Sequence, residues 1–250
     1  MEIKSELLHA DMDYVQGNSL KCRLFIHSES HLSRMAVVDE ENKLRVVQEK
    51  TTEDFLKDET GVLNLRFAKT CVVVNARHVK LLPEELYNDA ELAKTGFYKQ
   101  DLIAAVHTSR IEKQQIVAEF QVVENENFWL SVLKDAELIP SFAVVINHLS
   151  SLVRFKTVIG IQFHDNYMEL SLFQDNHLIL YNQFPAATAD EFNFFLLTLF
   201  KKFDLTPALI QFFLWGSIVE HDDYYARIAK YSSNISFSDS SILIEAIACV

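Results

Sequence analysis

The chain has 250 residues, 49% of them hydrophobic and 23% charged, with a net charge of −12. That length suits one large domain or two ordinary ones, with enough apolar material for a true core. Binding to duplex nucleic acid or to an anionic membrane needs clustered Lys and Arg, so the acidic balance excludes both as expected partners.

Nineteen Phe stand against five Gly, which leaves few places for the backbone to turn sharply or approach a phosphate. The start, MEIKSELLHADMDY, lacks a basic segment followed by an apolar run, and no stretch reaches the roughly 18 apolar residues of a membrane span. No membrane insertion and a cytoplasmic location are therefore expected. Cys22, Cys71 and Cys249 are odd in number, far apart and set in apolar stretches. They read as buried free thiols, without the C-x-x-C pair that redox or metal chemistry would want.

Residues 1–18 are a weakly patterned entry segment. From Leu20 the chain alternates: Leu20, Cys22, Leu24 and Ile26 share one face, and Lys21, Arg23, Phe25 and His27 the other, a half-buried strand. SESH turns the chain, RMAVVD and KLRVVQE continue it, and residues 20–49 form a three-stranded meander. TTEDFLKDE is a short helix capped by Thr51 or Thr52. TCVVVNA is a buried β-branched strand. Pro83 with the acidic pair after it predicts a helix start in KLLPEELYNDAEL. IAAVH pairs with IVAEFQVV. Glu124–Leu138 reads as a helix, because Phe128, Trp129, Val132, Leu133 and Ala136 recur at helical spacing. AVVINHLSSLV fits strand or helix.

A second meander begins near residue 158. Ile159, Ile161 and Phe163 lead into Asp165-Asn166, both tolerant of the positive φ that a two-residue hairpin favours. Met168, Leu170 and Leu172 follow, and Asp175-Asn176 turns the chain again. Thr188 and Glu191 have capping-box spacing and start a helix buried through Phe192, Phe195, Leu196, Leu199 and Phe203. Phe194 and Leu197 widen that stripe and predict packing on more than one side. LIQFFLWGS is a buried strand, Glu220–Tyr231 a helix and NISFS a short strand; ILIEAIACV fits either. RMAVVDEENKLRVV laid against MELSLFQDNHLILY matches strand, turn and strand. An internal duplication with a boundary near residue 150 is expected, giving halves 1–150 and 151–250.

Tandem β-β-β-α-β-α halves resemble the actin-like ATPase superfamily, whose halves are ribonuclease-H-like, in the α/β class with mixed sheets. The sequence is also similar to a bacterial domain-of-unknown-function family with that fold. The residues that carry this are Leu81–Tyr87 (LLPEELY) after TCVVVNA, Asn147–Leu152 (NHLSSL), and the second meander. The resemblance implies phosphate-holding turns between the first two strands of each half, and a glycine pair after the penultimate strand where adenosine packs. Such turns need small residues so that N–H groups reach phosphate oxygens, and a carboxylate to hold Mg²⁺ through water.

The matching positions are Ser28 and Ser30 with Glu29 in the first turn, Asp165 and Asn166 in the second, and Gly216 and Ser217 in the third. Glycines are missing from both turns, and no P-loop or dinucleotide fingerprint exists elsewhere. Gly216-Ser217 is no nucleophile elbow. His221-Asp222-Asp223 reads as a helix start rather than a metal site, and His27, His31 and His148 read as structural or surface residues. The expectation is a degenerate actin-like protein, a pseudo-ATPase without cofactor that acts through protein partners. Phe25 and Tyr167 on the outer faces of the meanders are natural contact points. The alternative is a divergent ATPase or small-molecule kinase using ATP with Mg²⁺ between the halves.

Overall fold

The computed structural model describes residues 11–29, 32–58, 61–87, 106–122, 127–133, 135–152, 155–216, 218–237 and 242–247. After a short helix α1 (Met12–Asn18), the strands β1 (Arg23–Glu29), β2 (Leu32–Val38) and β3 (Leu44–Thr51) pair as the expected antiparallel meander. Its second turn is built on Asp39, which is buried and accepts hydrogen bonds from the N–H groups of Glu41 and Lys43, both at 2.9 Å, and from the Arg45 guanidinium at 2.8 Å. Helix α2 (Thr52–Lys57) starts where Thr51 Oγ1 accepts from the Asp54 N–H at 3.1 Å. Strand β4 (Lys69–Val74) runs parallel to β1.

An excursion follows, made of β5 (Ala76–Pro83), β6 (Val106–Ile111) and β7 (Ile116–Val122) in a separate antiparallel sheet of order β5-β7-β6. IVAEFQVV pairs with Val106 and His107 of the expected IAAVH partner and also with Thr108–Ile111, of which SRI was expected as loop; residues 103–105 lie outside the described set. The helix expected from Pro83 is instead the end of β5 and one 3-10 turn, Glu84–Leu86. Pairing of Leu81–Pro83 with Ile116–Ala118 outweighs the local helix signal there. Likewise Glu124–Leu138 is not one helix. Helix α3 spans Asn127–Val132, and Glu137–Pro140 forms β8, parallel to β4 at the rim of the first sheet; residues 123–126 lie outside the described set. AVVINHL resolves as helix α4 (Ser141–Leu149).

The second sheet repeats the first. Strands β9 (Thr157–Phe163), β10 (Tyr167–Gln174) and β11 (His177–Pro185) form the meander, then come helix α5 (Ala189–Lys202), strand β12 (Gln211–Gly216), helix α6 (Asp223–Ala229), strand β13 (Ile235–Phe237) and helix α7 (Ile242–Ile247). The orders β3-β2-β1-β4-β8 and β11-β10-β9-β12-β13 correspond strand for strand, and β12 runs parallel to β9 as β4 does to β1.

Burial corrects several expectations. Strand β1 is buried on both faces, because it is central and covered on each side: Leu24 and His27 are 2% exposed, and Phe25 and Ile26 are 0% exposed. Phe25 is therefore no outward contact point. Tyr167 is half-buried and stacks on His164, ring centroids 4.2 Å apart. On α5, Phe192 and Leu196 are fully buried, but Phe194 is 63% and Leu197 43% exposed, so this helix packs on one side only. Its start is as expected: Thr188 Oγ1 accepts from the Glu191 N–H at 3.2 Å, while Glu191 Oε2 accepts from Ala187 N–H at 3.0 Å.

Helix α4 joins the two halves. Phe142, Val144 and Ile146 are fully buried, and a core of β1, β2 and β4 residues continues through α4 to Val158, Phe173 and Trp215 of the second sheet. Helix α7 returns to pack on α4, β1 and β2. A second core on the other face of the second sheet is closed by Phe192, Leu196 and Ile228. Each such side chain contributes about 1.5–3 kcal/mol by leaving water.

Cys71 lies fully buried in β4, and burial above all pushes its thiol from 9.0 up to about 11. A group held protonated only in the fold stabilises it fully below the unfolded value, and that contribution fades as pH rises toward the folded one. Stability is thus expected to fall by on the order of 2–3 kcal/mol between pH 9 and 11. Urea midpoints across that range check this, and Cys71→Val should flatten the slope.

Candidate functional site

The described positions among those expected to hold phosphate sit at the carboxyl ends of parallel strands. Ser28 is near the end of β1, Asp165 and Asn166 follow β9, and Gly216 ends β12 beside Phe163 of β9. The structure therefore brings Asp165, Asn166 and Gly216 to one end of the second sheet. Ser30 and Ser217 lie outside the described residues.

Beside the first turn the Ser28 hydroxyl is already engaged. Ser28 Oγ is 2.7 Å from Ser33 Oγ, and Ser33 Oγ is 2.9 Å from Thr52 Oγ1. The Trp129 indole N–H donates to Ser28 Oγ at 2.7 Å, and Trp129 itself is 1% exposed. A bulky ring from α3 thus lies on Ser28 and Ser33, paired residues of β1 and β2, and its N–H reaches both hydroxyls.

The second turn departs from expectation in its backbone. Neither Asp165 nor Asn166 has a positive φ, whereas Asp175 (47°) and Asn176 (67°) in the next turn do. The β9–β10 turn closes instead through the His164 N–H donating to the Tyr167 carbonyl at 2.9 Å, with the two rings stacked. Both turn residues are exposed. Gly216 has φ +94°, and a Cβ there would stand 2.1 Å from the Phe163 carbonyl oxygen. Close strand approach by itself demands this glycine.

Between the sheets, side chains meet one another. Gln183 of β11 donates through Nε2 to the Ala76 carbonyl at 2.7 Å and to Glu169 Oε1 at 3.0 Å. Glu169 is 3% exposed and lies 3.6 Å from His164 Nε2. Burial first, then the Glu169 charge, pushes the Tyr181 hydroxyl well above its ordinary value, so it stays a protonated donor. The Tyr181 ring packs on Phe142 at 5.3 Å. Further along, Gln114 Oε1 accepts from the Leu178 N–H at 2.9 Å, while its Nε2 donates to the Asn176 carbonyl at 3.1 Å.

Sequence reasoning missed these bridges. Trp129 was visible only as part of an apolar helical stripe, and Gln183 reaches a carbonyl 107 residues away, a partner that no local pattern indicates. Asp222 caps α6, accepting from the Tyr225 N–H at 2.7 Å, which accounts for the His-Asp-Asp run. His148 is half-buried against Trp215 at 5.7 Å, a packing role. Cys22 and Cys71 are buried free thiols; Cys249 and His31 lie outside the described residues. Among the described residues no group of three His, Cys, Asp or Glu is placed to hold a metal, and no helix is long and apolar enough to cross a membrane.

A groove of about 1080 Å³ lies elsewhere, walled by β6, the start of β8 and the C-terminal end of α4. None of the three phosphate-position elements lines it.

With this geometry in place, comparison with other proteins gives a family. Residues 12–235 match the family described as Protein of unknown function (DUF3822). The chain belongs to the DUF3822 family. Among curated proteins nothing matches it. Among solved structures, the DUF3822 chain resembles a Bacteroides thetaiotaomicron protein with actin-like ATPase fold and unknown function, at 14% identity over 94% of this chain and 98% of that one, with a TM-score of 0.79. It also resembles a chain of the PilM-PilN type IV pilus biogenesis complex, at 9% identity over 86% of this chain and 88% of that one, TM-score 0.51. A third likeness is to the cytoplasmic domain of EpsL from Vibrio cholerae, an inner membrane component of the type II secretion system, at 10% identity over 91% and 93%, TM-score 0.49. The DUF3822 chain therefore has the actin-like ATPase fold.

Proposed function

We propose that this DUF3822 protein is a non-catalytic binding or scaffold protein that works through protein partners and uses no nucleotide. The observation that carries this reading is the engagement of Ser28 by a buried indole together with the side-chain contacts between the sheets. Trp129 lies on Ser28, while Gln183 ties Glu169 to the Ala76 carbonyl with Tyr181 buried beside them. A nucleotide entering there would displace a buried indole and leave buried polar groups without partners, each at about 1–3 kcal/mol. The likeness to a chain from the PilM-PilN complex supports the reading at the level of fold: a chain of this architecture can serve in a protein assembly.

The test is the melting temperature with millimolar Mg-ATP, ADP and GTP. A ligand at 100 times its Kd adds about 2.7 kcal/mol, a shift of several degrees in a chain of this size. No shift is expected with any of the three. A reproducible rise with one of them would overturn the reading.

A further inference from the structure

Helix α5 carries a second, outward stripe. Asp190, Phe194, Leu197 and Lys201 are all exposed. Their spacing of four, three and four residues sets them in one line along the helix. That line lies on the side away from Phe192, Leu196, Leu199 and Phe200, which are buried against the second sheet.

Apolar residues hold the middle of the stripe and opposite charges its ends. Phe194 and Leu197 flank the midpoint of Ala189–Lys202, and Asp190 and Lys201 each stand one residue inside an end. Turned end over end, the stripe presents Lys201 where Asp190 was and Leu197 where Phe194 was. It is therefore self-complementary about a two-fold axis through the helix midpoint. A parallel alignment would instead set Asp190 on Asp190 and Lys201 on Lys201, which like charges oppose.

The central aromatic is well placed as an anchor. The Phe194 ring meets Phe195 edge-on at 5.4 Å, and Phe195 packs on Phe184 of β11 at 4.8 Å, so it stands on a fixed aromatic row. At the acidic end, Arg227 of α6 donates to Asp190 Oδ1 at 2.5 Å, but the Asp190 side chain is 84% exposed. A carboxylate accepts more than one donor, so a second cation has access to it. Asp190 and Glu191 outnumber Arg227 at that end, and Lys201 and Lys202 form the other.

We propose that two copies of this chain associate through α5, antiparallel about its midpoint, with Phe194 of each against Leu197 of the other and Asp190 of each against Lys201 of the other. This goes beyond the binding reading above and does not depend on it. One 14-residue helix per chain is a contact at the small end of specific interfaces, so a Kd of about 10–100 μM is expected.

Sedimentation velocity of the full chain over ~2 to ~500 μM tests this. The average mass should climb from monomer toward dimer. Phe194→Glu should weaken association at least about tenfold, with the circular dichroism spectrum unchanged because the ring is already exposed. Asp190→Lys and Lys201→Glu should each weaken it by about three- to tenfold. Mixing those two variants one to one should restore it, since each chain then supplies the charge that the other needs at both ends. A chain that stays monomeric throughout, a dimer that survives Phe194→Glu, or a mixture no tighter than its components would overturn the proposal. A nucleotide shift in melting temperature bears on the non-catalytic reading alone, so the two ideas fail separately.

Discussion

Gly216→Ala is expected to cost about 4 kcal/mol or more, seen as a fall in melting temperature of roughly 8–16 °C. Two independent penalties act there. The φ of +94° is one that side chains with a Cβ rarely adopt, and the new Cβ would lie 2.1 Å from a backbone oxygen of Phe163. Backbone cannot rotate aside, so β9 and β12 must separate. Gly160 supplies the contrast. A Cβ there would meet Leu149 Cδ1 at 2.4 Å, the tip of a flexible side chain, so Gly160→Ala is expected to cost less, about 1–2 kcal/mol. Thermal melts of both variants check the order. A Gly216→Ala protein as stable as Gly160→Ala would mean that the close approach of β12 to Phe163 is wrong. The point also bears on function, because the one glycine retained at the third expected phosphate position has a structural reason to be there.

Trp129→Ala is the second large expected effect, about 3–5 kcal/mol, the usual cost of truncating a buried aromatic ring. The ring is 1% exposed, and its indole is tied to Ser28 at 2.7 Å and more loosely to Ser33 at 3.3 Å. Trp129→Phe keeps most of the packing and loses only the donor, so about 1–2 kcal/mol is expected. Chemical denaturation of the two variants separates the contributions. If Trp129→Ala were nearly neutral, the indole would not be holding Ser28 and Ser33, and the main support for a non-catalytic reading would weaken with it.

Much of the fold was legible because its signals are local. Alternation marks both meanders, Thr51 and Thr188 announce their helices, and Asp175-Asn176 has the turn chemistry that its φ angles confirm. Misreadings fell where a distant partner decided the outcome. Glu137 and Leu138 end a helical spacing, yet pair with Cys71 and Val72. Phe194 and Leu197 extend an apolar stripe, yet both are exposed. Phe25 alternates as an outward residue, yet β1 is covered on both faces. Asp165-Asn166 has the composition of a positive-φ turn, yet the stacked pair of His164 and Tyr167 closes it otherwise.

By itself, then, the sequence determined the two meanders, their repeat and the lack of glycine at the two expected phosphate turns. Those are properties of short windows, set by side-chain period and backbone freedom. Only the tertiary structure decided that Trp129 lies on Ser28 and that Gln183 reaches Ala76. Each of these depends on which surfaces remain after distant segments have packed, and a period of two or of 3.6 carries no information about that.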